Sequence, residues 1–307
     1  MSRGSLTSFK HPGGSFIISD VAMTTGKYWF VHSGDGDSSN SGTTQLDPMA
    51  TVDQAINKAT ASEGDVIIVM PGHAESFTAT NGFDVDKIGL TIRGLGQGSN
   101  RPTFTFADTD AQINIGAAGV LIENLRFNAG ISAVVAGVQV EGAADVTFKN
   151  CDWYWGGTTG WDFVIALELE ASSDRVTVEN CRFLAEPAAN AGAASAISFA
   201  SSDNLIVRHC EFMGNYSTSC ILNASASEGL MFTDNLVHNT NAGEPYLEVH
   251  ASTTGIIADI RGLAGGATIA ANAVAIAMVH CEPFVCNTTG TVAIVTGAGG
   301  DPSVDAD

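Results

Sequence analysis

The sequence predicts an all-β solenoid: one chain coiled into stacked turns of short strands and closed at its N-terminal end by a helix. Three observations predict it. Val146-Thr-Phe-Lys-Asn-Cys-Asp-Trp153 returns as Val176-Thr-Val-Glu-Asn-Cys-Arg-Phe183 and Leu205-Ile-Val-Arg-His-Cys-Glu-Phe212; Val120-Leu-Ile-Glu-Asn-Leu-Arg-Phe127 precedes them and the weaker Leu230-Met-Phe-Thr-Asp-Asn-Leu-Val237 follows. The starts at 120, 146, 176, 205 and 230 lie 26, 30, 29 and 25 residues apart, a spacing at which each repeat buries its core against its neighbours. Within each copy apolar residues hold positions one, three, six and eight, so the strand alternation changes parity after the third. A change of parity is a corner, and the Asn at position five marks it.

Composition agrees. Of 307 residues 45% are hydrophobic, ample for a core, and 34 glycines against 8 prolines suit many strands joined by tight turns. The formal charge is −20, from 13 Lys+Arg against 33 Asp+Glu. Nucleic-acid binding depends on basic contacts to phosphate, so no nucleic-acid partner is expected, and anionic substrates are disfavoured on the same ground. No run approaches the ~20 apolar residues that span a bilayer, so no membrane partner is expected either. The start, Met1 to Lys10, lacks the apolar core of a signal peptide, which predicts synthesis in a cytoplasm without classical export. Cys151, Cys181 and Cys210 hold one inward position of successive copies and read as a column of small buried thiols. Cys281 and Cys286 have no matching second pair, so zinc is not expected.

In chain order, residues 1–27 are polar and glycine-rich with an apolar island at Phe16-Ile17-Ile18, and read as an arm outside the repeat. Residues 28–64 hold a first strand, a loop and the capping helix. The loop, Gly34 to Gly42, has a passing likeness to a calcium site in Asp35, Asp37 and Asn40. It lacks the third early ligand and distal Glu of an EF-hand, so it reads as a turn. Asp47-Pro48 is expected to open the helix, with Asp47 as N-cap and Met49, Val52, Ile56 and Ala59 on one apolar face. A solenoid cannot leave its first turn open to water, which makes this helix the cap. Residues 65–290 are the coil, beginning with the buried strand Asp65 to Met70 and the early repeat copy Leu90 to Leu95. A second strand precedes most copies, as in Gly137-Val-Gln-Val140, Ala166-Leu-Glu-Leu169, Ala196-Ile-Ser-Phe199 and Tyr246-Leu-Glu-Val249. Residues 291–307 are a last strand and an acidic tail.

Aligned copies expose columns. Position four reads Glu123, Lys149, Glu179, Arg208, and position seven reads Arg126, Asp152, Arg182, Glu211. Both point outward and alternate in sign, so they serve as a register device worth roughly 0.2–1 kcal/mol per pair. Position five reads Asn124, Asn150, Asn180, His209, Asp234 and is expected to form a side-chain ladder at an inner corner, His209 included. The second-strand columns, with Gln139, Glu168, Ser198 and Glu248 and then Glu141, Glu170 and His250, hold the best enzymatic candidates. Two carboxylates ~5–9 Å apart can act as acid and base on a glycosidic bond. Asp162 joins them from the insert Trp153 to Trp161, whose aromatics could stack on a sugar or meet a partner.

Trp29-Phe-Val31, the Gly/Asp/Ser loop, Asp47-Pro48 with the helix after it, and Gly64 to Gly72 together resemble the opening of the pectate-lyase-like superfamily. That resemblance implies a single-stranded right-handed parallel β-helix from about residue 65 to 285. Pro71-Gly-His-Ala-Glu75, Leu90-Thr-Ile-Arg-Gly-Leu-Gly96 and Asn100-Arg-Pro-Thr-Phe104 resemble β-helix proteins encoded among the head genes of tailed bacteriophages. The Asn-Thr-Asp, Asp-Asp, Gly-His-Gly and Arg-Ile-Lys motifs of the superfamily's polygalacturonases are absent; the nearest is Gly72-His-Ala74.

Two functional expectations follow. The first is a non-enzymatic structural protein of a phage virion, a capsid decoration protein at the virion surface. It would sit on the major capsid protein or another virion protein as a homotrimer, matching the threefold positions of a capsid lattice. Phe16, Ile17, Ile18, Trp153, Trp155 and Trp161 are its candidate interface, and neither cofactor nor metal is expected. The alternative is a polysaccharide-binding or polysaccharide-degrading protein with a host glycan as partner. If it is an enzyme, a lyase or glycoside hydrolase, Asp162, Glu168 and Glu170 are its catalytic candidates.

Overall fold

The structure, a computed structural model, describes residues 24–78, 81–188, 192–241 and 244–264. It also describes the backbone of the strands Thr7–His11, Gly14–Ile18, Ala270–Ala271, Ala275–Val279, Glu282–Cys286 and Val292–Ile294. Three sheets run along the coil, and from Val66 to Glu248 each turn adds one strand to each. The first sheet opens with Tyr28–Val31 and continues through Val66–Val69, Thr91–Gly94, Leu121–Glu123, Thr147–Lys149, Thr177–Glu179, Ile206–Arg208, Leu230–Thr233 and Thr254–Ala258. The second takes Ala74–Phe77, Thr103–Phe106, Arg126–Ala129, Asp152–Tyr154, Arg182–Leu184, Glu211–Gly214, Leu236–Asn239 and Arg261–Ala264. The third takes Asn81–Val85, Gln112–Ile115, Val134–Val140, Phe163–Leu169, Ser195–Phe199, Ile221–Asn223 and Leu247–Glu248. Neighbouring strands within these runs pair parallel, as a coil requires.

The repeat alignment is also the structural register. Phe148 stands between Ile122 and Val178, and Trp153 between Phe127 and Phe183. Like therefore stacks on like in a column of buried residues. In the second sheet this column becomes an aromatic spine, with ring centroids 4.9 Å apart for Phe127 and Trp153, 4.5 Å for Trp153 and Phe183, and 5.0 Å for Phe183 and Phe212. Such contacts add roughly 0.5–1.5 kcal/mol per pair beyond the area they bury.

The corner between the first two sheets turns on one residue. Asn124, Asn150, Asn180, His209, Asp234 and Asp259 have φ of 57°, 60°, 54°, 53°, 55° and 52°. This is the left-handed region, where Asn and Asp are favoured over most non-glycine residues. The inner ladder expected at position five is thus corrected. Asn150, Asn180 and His209 are exposed, and their shared property is a backbone conformation. His209 lies 3.8 Å from Asp234 on the neighbouring turn. The residue after the corner faces inward. Cys151, Cys181 and Cys210 are free and buried, and each thiol lies 3.2–3.4 Å from the carbonyl oxygen two residues back.

The sign-alternating columns are also present. Arg93 reaches Glu123 at 2.6 Å and Arg208 reaches Glu179 at 3.3 Å. At position seven, Asp152 is buried beneath Arg101, Arg126 and Arg182, at 2.5, 3.4 and 2.7 Å.

The helix spans Val52–Lys58 and buries Val52, Ala55 and Ile56 in the core beside the first strands. Its start differs from expectation. Thr51 is the N-cap, accepting from Gln54 N, while the Gln54 side chain accepts from the Thr51 N–H in a capping box. Asp47 instead ties the preceding loop, its Oδ2 accepting from Ser41 N and Oγ. Met49 precedes the helix and bridges to Val31. In that loop Asp37 Oδ1 accepts from Ser39 N and Oγ, Asn40 Nδ2 donates to the Pro48 carbonyl, and Asp35 pairs with His32, so these side chains serve the turn itself. The strands Thr7–His11 and Gly14–Ile18 form an antiparallel hairpin separate from the three sheets. The side chains of Phe16, Ile17 and Ile18, and of Cys281 and Cys286, lie outside the described residues.

Candidate functional site on the third sheet

The outward face of the third sheet gathers polar residues from successive turns. Asp84, Asn114, Gln139, Glu168, Ser198, Leu222 and Glu248 stand in register along it. Strand alternation puts them outward because Ile113, Val138, Leu167, Ile197 and Leu247 point into the core. Glu141 and Glu170 lie just past the ends of Val134–Val140 and Phe163–Leu169, two residues beyond Gln139 and Glu168.

The middle of this face is hydrogen-bonded into one network. Gln112 Nε2 donates to Gln139 Oε1 at 2.7 Å and also to Asn114 Oδ1. Gln139 Nε2 donates to Glu168 Oε2 at 3.1 Å and to Glu170 Oε1 at 2.9 Å. A single amide thus holds two carboxylates together. Burial raises the Glu168 pKa, Glu170 beside it adds to the rise, and the hydrogen bond from Gln139 opposes it. Burial likewise raises Glu141, with smaller contributions from Glu170 and Asp84. These carboxyl groups hold their protons to higher pH than free ones, as a general acid requires. Amides and carboxyls spaced by the turns of a coil can bind the hydroxyls of an extended saccharide.

The structure sorts the sequence candidates. Glu168 and Glu170 come together with Gln139 and Glu141. Glu248 and His250 do not join them, because Ser198 and Leu222 intervene. Asp162 is 2% exposed and lies inside the molecule, because the insert folds back before Phe163–Leu169 begins. It lines a small cavity with Trp153, Phe183, Ser195 and Tyr216. Its Oδ1 accepts from Phe163 N and its Oδ2 from Glu186 N, both at 3.1 Å. Burial pushes its pKa up to about 7, the two backbone bonds oppose this, and Glu186 adds to the rise. Trp153 as an interface residue is also corrected. It is 1% exposed, because position eight of the repeat is an inward position. Trp155 and Trp161 are half-buried at the surface of the insert. Gln112, Asn114 and Asp84 are site residues the sequence reading missed. The signal was there: Gln112-Ile-Asn-Ile115 has the alternation of Gly137-Val-Gln-Val140.

Stacked turns around an aromatic spine, with a polar network on one outer face, define a parallel β-helix protein. Residues 101–259, about six turns, match the family described as right handed beta helix region, and the chain belongs to that family. The comparison with curated proteins found no match. Among solved structures, an alginate lyase from Paenibacillus sp. str. FPU-7 is similar at 14% identity, over 76% of this chain and 95% of that one, with a TM-score of 0.44. Pectin methylesterase from carrot is similar at 13% identity over 85% and 91%, with a TM-score of 0.46. PfbA, a surface adhesin of Streptococcus pneumoniae, is similar at 11% identity over 80% and 88%, with a TM-score of 0.35. These are likenesses of fold.

Proposed function

We propose that this chain recognises a polysaccharide on the outward face of its third sheet, with Glu168 and Glu170 as the catalytic pair if the bound glycan is cleaved. The observation that carries the reading is the network Gln112–Gln139–Glu168/Glu170, in which one amide fixes two carboxylates. Fixed amides and carboxyls bind sugar hydroxyls with little loss of side-chain freedom, because the network has already ordered them. The acidic character of the face and the charge of −20 favour a neutral glycan over an anionic one. Glu168, whose proton affinity burial raises, would protonate the leaving oxygen, while Glu170, held close by the same amide, would attack the sugar as nucleophile; water, with Glu168 then as base, would release the sugar.

The test is incubation with neutral capsular and extracellular polysaccharides, reading retention on immobilised glycan together with new reducing ends. Retention with new reducing ends, lost in Glu168→Gln and Glu170→Gln, marks hydrolysis. Retention without products marks a binding protein. Neither retention nor products across the panel rejects the reading.

A second reading is attachment to a virion surface as a trimer, on the major capsid protein or another virion protein. What supports it is the hairpin of Thr7–His11 and Gly14–Ile18, which belongs to none of the three sheets and so is available for attachment. Capsid sites are repeated, so even weak single contacts would hold a trimer by raising effective concentration. Mass spectrometry of purified particles and the solution mass of the isolated protein test it. Absence from particles removes the virion, and a monomeric mass removes the trimer.

A further inference from the structure

We propose that Arg101, Arg126 and Arg182, on the outward side of the second sheet, form a binding site for a divalent oxyanion, sulfate or phosphate, either free or esterified to a larger molecule. The proposal stands apart from the glycan reading and lies on a different sheet. Its basis is a surplus of positive charge gathered at one point. Arg182 grips Asp152 through two nitrogens, Nε donating to Oδ1 at 2.9 Å and Nη2 to Oδ2 at 2.7 Å. Arg101 Nη1 and Arg126 Nη2 lie 2.5 and 3.4 Å from that same Oδ2. One carboxylate neutralises one guanidinium, and here it faces three.

The repeat does not require this arrangement. Position seven alternates in sign, with Arg126 and Arg182 beside Asp152 on the turns either side of it. Arg101 belongs to no column. It follows the short turn Gly98–Asn100 and precedes the strand Thr103–Phe106, and it adds a third cation where the register is already satisfied. Like charges held this close repel one another, and an anion between them relieves the repulsion.

The neighbouring residues do not supply that anion. Among the described residues, Asp152 is the one carboxylate in ion-pair range of Arg101 and Arg126. Beyond Arg126 the column continues as Thr103, which is neutral. On the other side Glu211 stands next to Arg182, and its charge bears on that residue. The unmatched charge therefore lies toward Arg101 and Arg126.

The arginines also face the solvent from which a ligand would come. The Asp152 side chain is 4% exposed, while those of Arg126 and Arg182 are 29% and 46% exposed. The carboxylate is the floor of the site and the guanidinium groups are its rim. Arg101 and Arg126 each place one nitrogen on Asp152, which leaves N–H donors for a further acceptor. A tetrahedral oxyanion brings two charges and enough oxygens to take donors from more than one guanidinium at once. The formal charge of −20 opposes anions at long range, but charges beyond about 8 Å are largely screened at physiological salt.

The test is a titration of the 15N-labelled full chain with sodium sulfate near neutral pH, at ionic strength held constant with sodium chloride, following the arginine Nε–H signals. Inorganic phosphate and glucose 6-phosphate are the further probes, with glucose as the neutral control. Sulfate should shift Arg101, Arg126 and Arg182 along one saturable curve and leave Arg175, paired with Asp145 at the surface, unmoved. Glucose should shift none of them. Arg126→Gln should weaken binding about tenfold, through the loss of a charge-assisted contact, and Arg175→Gln should leave it unchanged. Tighter binding of glucose 6-phosphate than of phosphate identifies an esterified ligand, and equal binding identifies the free ion; both support the site. Shifts that do not saturate, shifts at Arg175 equal to those at the cluster, or an unchanged affinity in Arg126→Gln overturn it. Should Arg126→Gln fail to fold, the native titration decides alone, and shifts that do not saturate reject the site.

Discussion

At Asn180 the backbone, not the side chain, explains the residue. Its φ is 54°, it is exposed, and its counterparts are Asn124, Asn150, His209 and Asp234. Asn180→Ala should therefore cost about 1 kcal/mol, from placing an alanine in the left-handed region. Asn180→Gly should be close to neutral in urea unfolding, because glycine adopts that region freely. Equal losses in both variants would restore a side-chain ladder. Asp152 is the opposite case, a side chain that the neighbouring turns depend on. Burial raises its pKa, but the hydrogen bond from Arg182 and the charges of Arg101 and Arg182 outweigh that and leave it lowered. A lowered carboxylate contributes stability above its unfolded value of 3.8 and loses it as pH falls through the folded value. Asp152→Asn should lose about 3 kcal/mol at pH 7, since it leaves three guanidinium groups together without their carboxylate. The loss should shrink toward pH 3. A loss that stays constant with pH would assign Asp152 to packing alone.

At the scale of the element, the corner and the helix differ in how far the sequence disclosed them. The column of Cys151, Cys181 and Cys210 was legible because three copies repeat it at one inward position. Burial, reinforced by the neighbouring Cys151 and Cys210, raises the Cys181 pKa well above the ordinary thiol range. A soluble thiol reagent should accordingly leave Cys181 unmodified in the folded chain and react after denaturation; fast native reaction would show an open coil. The helix was legible in its apolar face, which Val52 and Ile56 carry, but its start was not. Asp47-Pro48 satisfies the general rule for a helix opening, whereas Thr51-Val-Asp-Gln54 is the capping box that forms. Both patterns lie in one stretch, and the loop ties made by Asp47 decide between them. Thr51→Ala should cost about 1 kcal/mol in thermal or urea unfolding, while Asp47→Ala should leave helix content unchanged.

For the whole molecule, periodicity gave away the coil because each turn repeats the same burial problem. Phe127, Trp153, Phe183 and Phe212 solve it with one stacked column. The candidate site was only half legible. Glu168 and Glu170 follow from alternation along Phe163–Leu169 and the residue after it, but their binding to Gln139, and of Gln139 to Gln112, depends on which turns are neighbours. Asp162 was misplaced because an insert breaks the period, and nothing in its spacing says whether the chain folds outward or back. Trp153 was misplaced for a different reason: its identity suggested a surface while its repeat position already demanded the core. The proposed glycan-binding face is the outward side of the third sheet. The measurement that tests it most directly is a titration of neutral oligosaccharides of glucose, galactose and rhamnose into 15N-labelled protein, following the side-chain amides of Gln112 and Gln139. A binding oligosaccharide should shift both, together with the backbone amides of residues 168–170, and leave the first sheet at Thr147 and Thr177 unmoved. Binding that shifts the first sheet and spares Gln112 and Gln139 would contradict it.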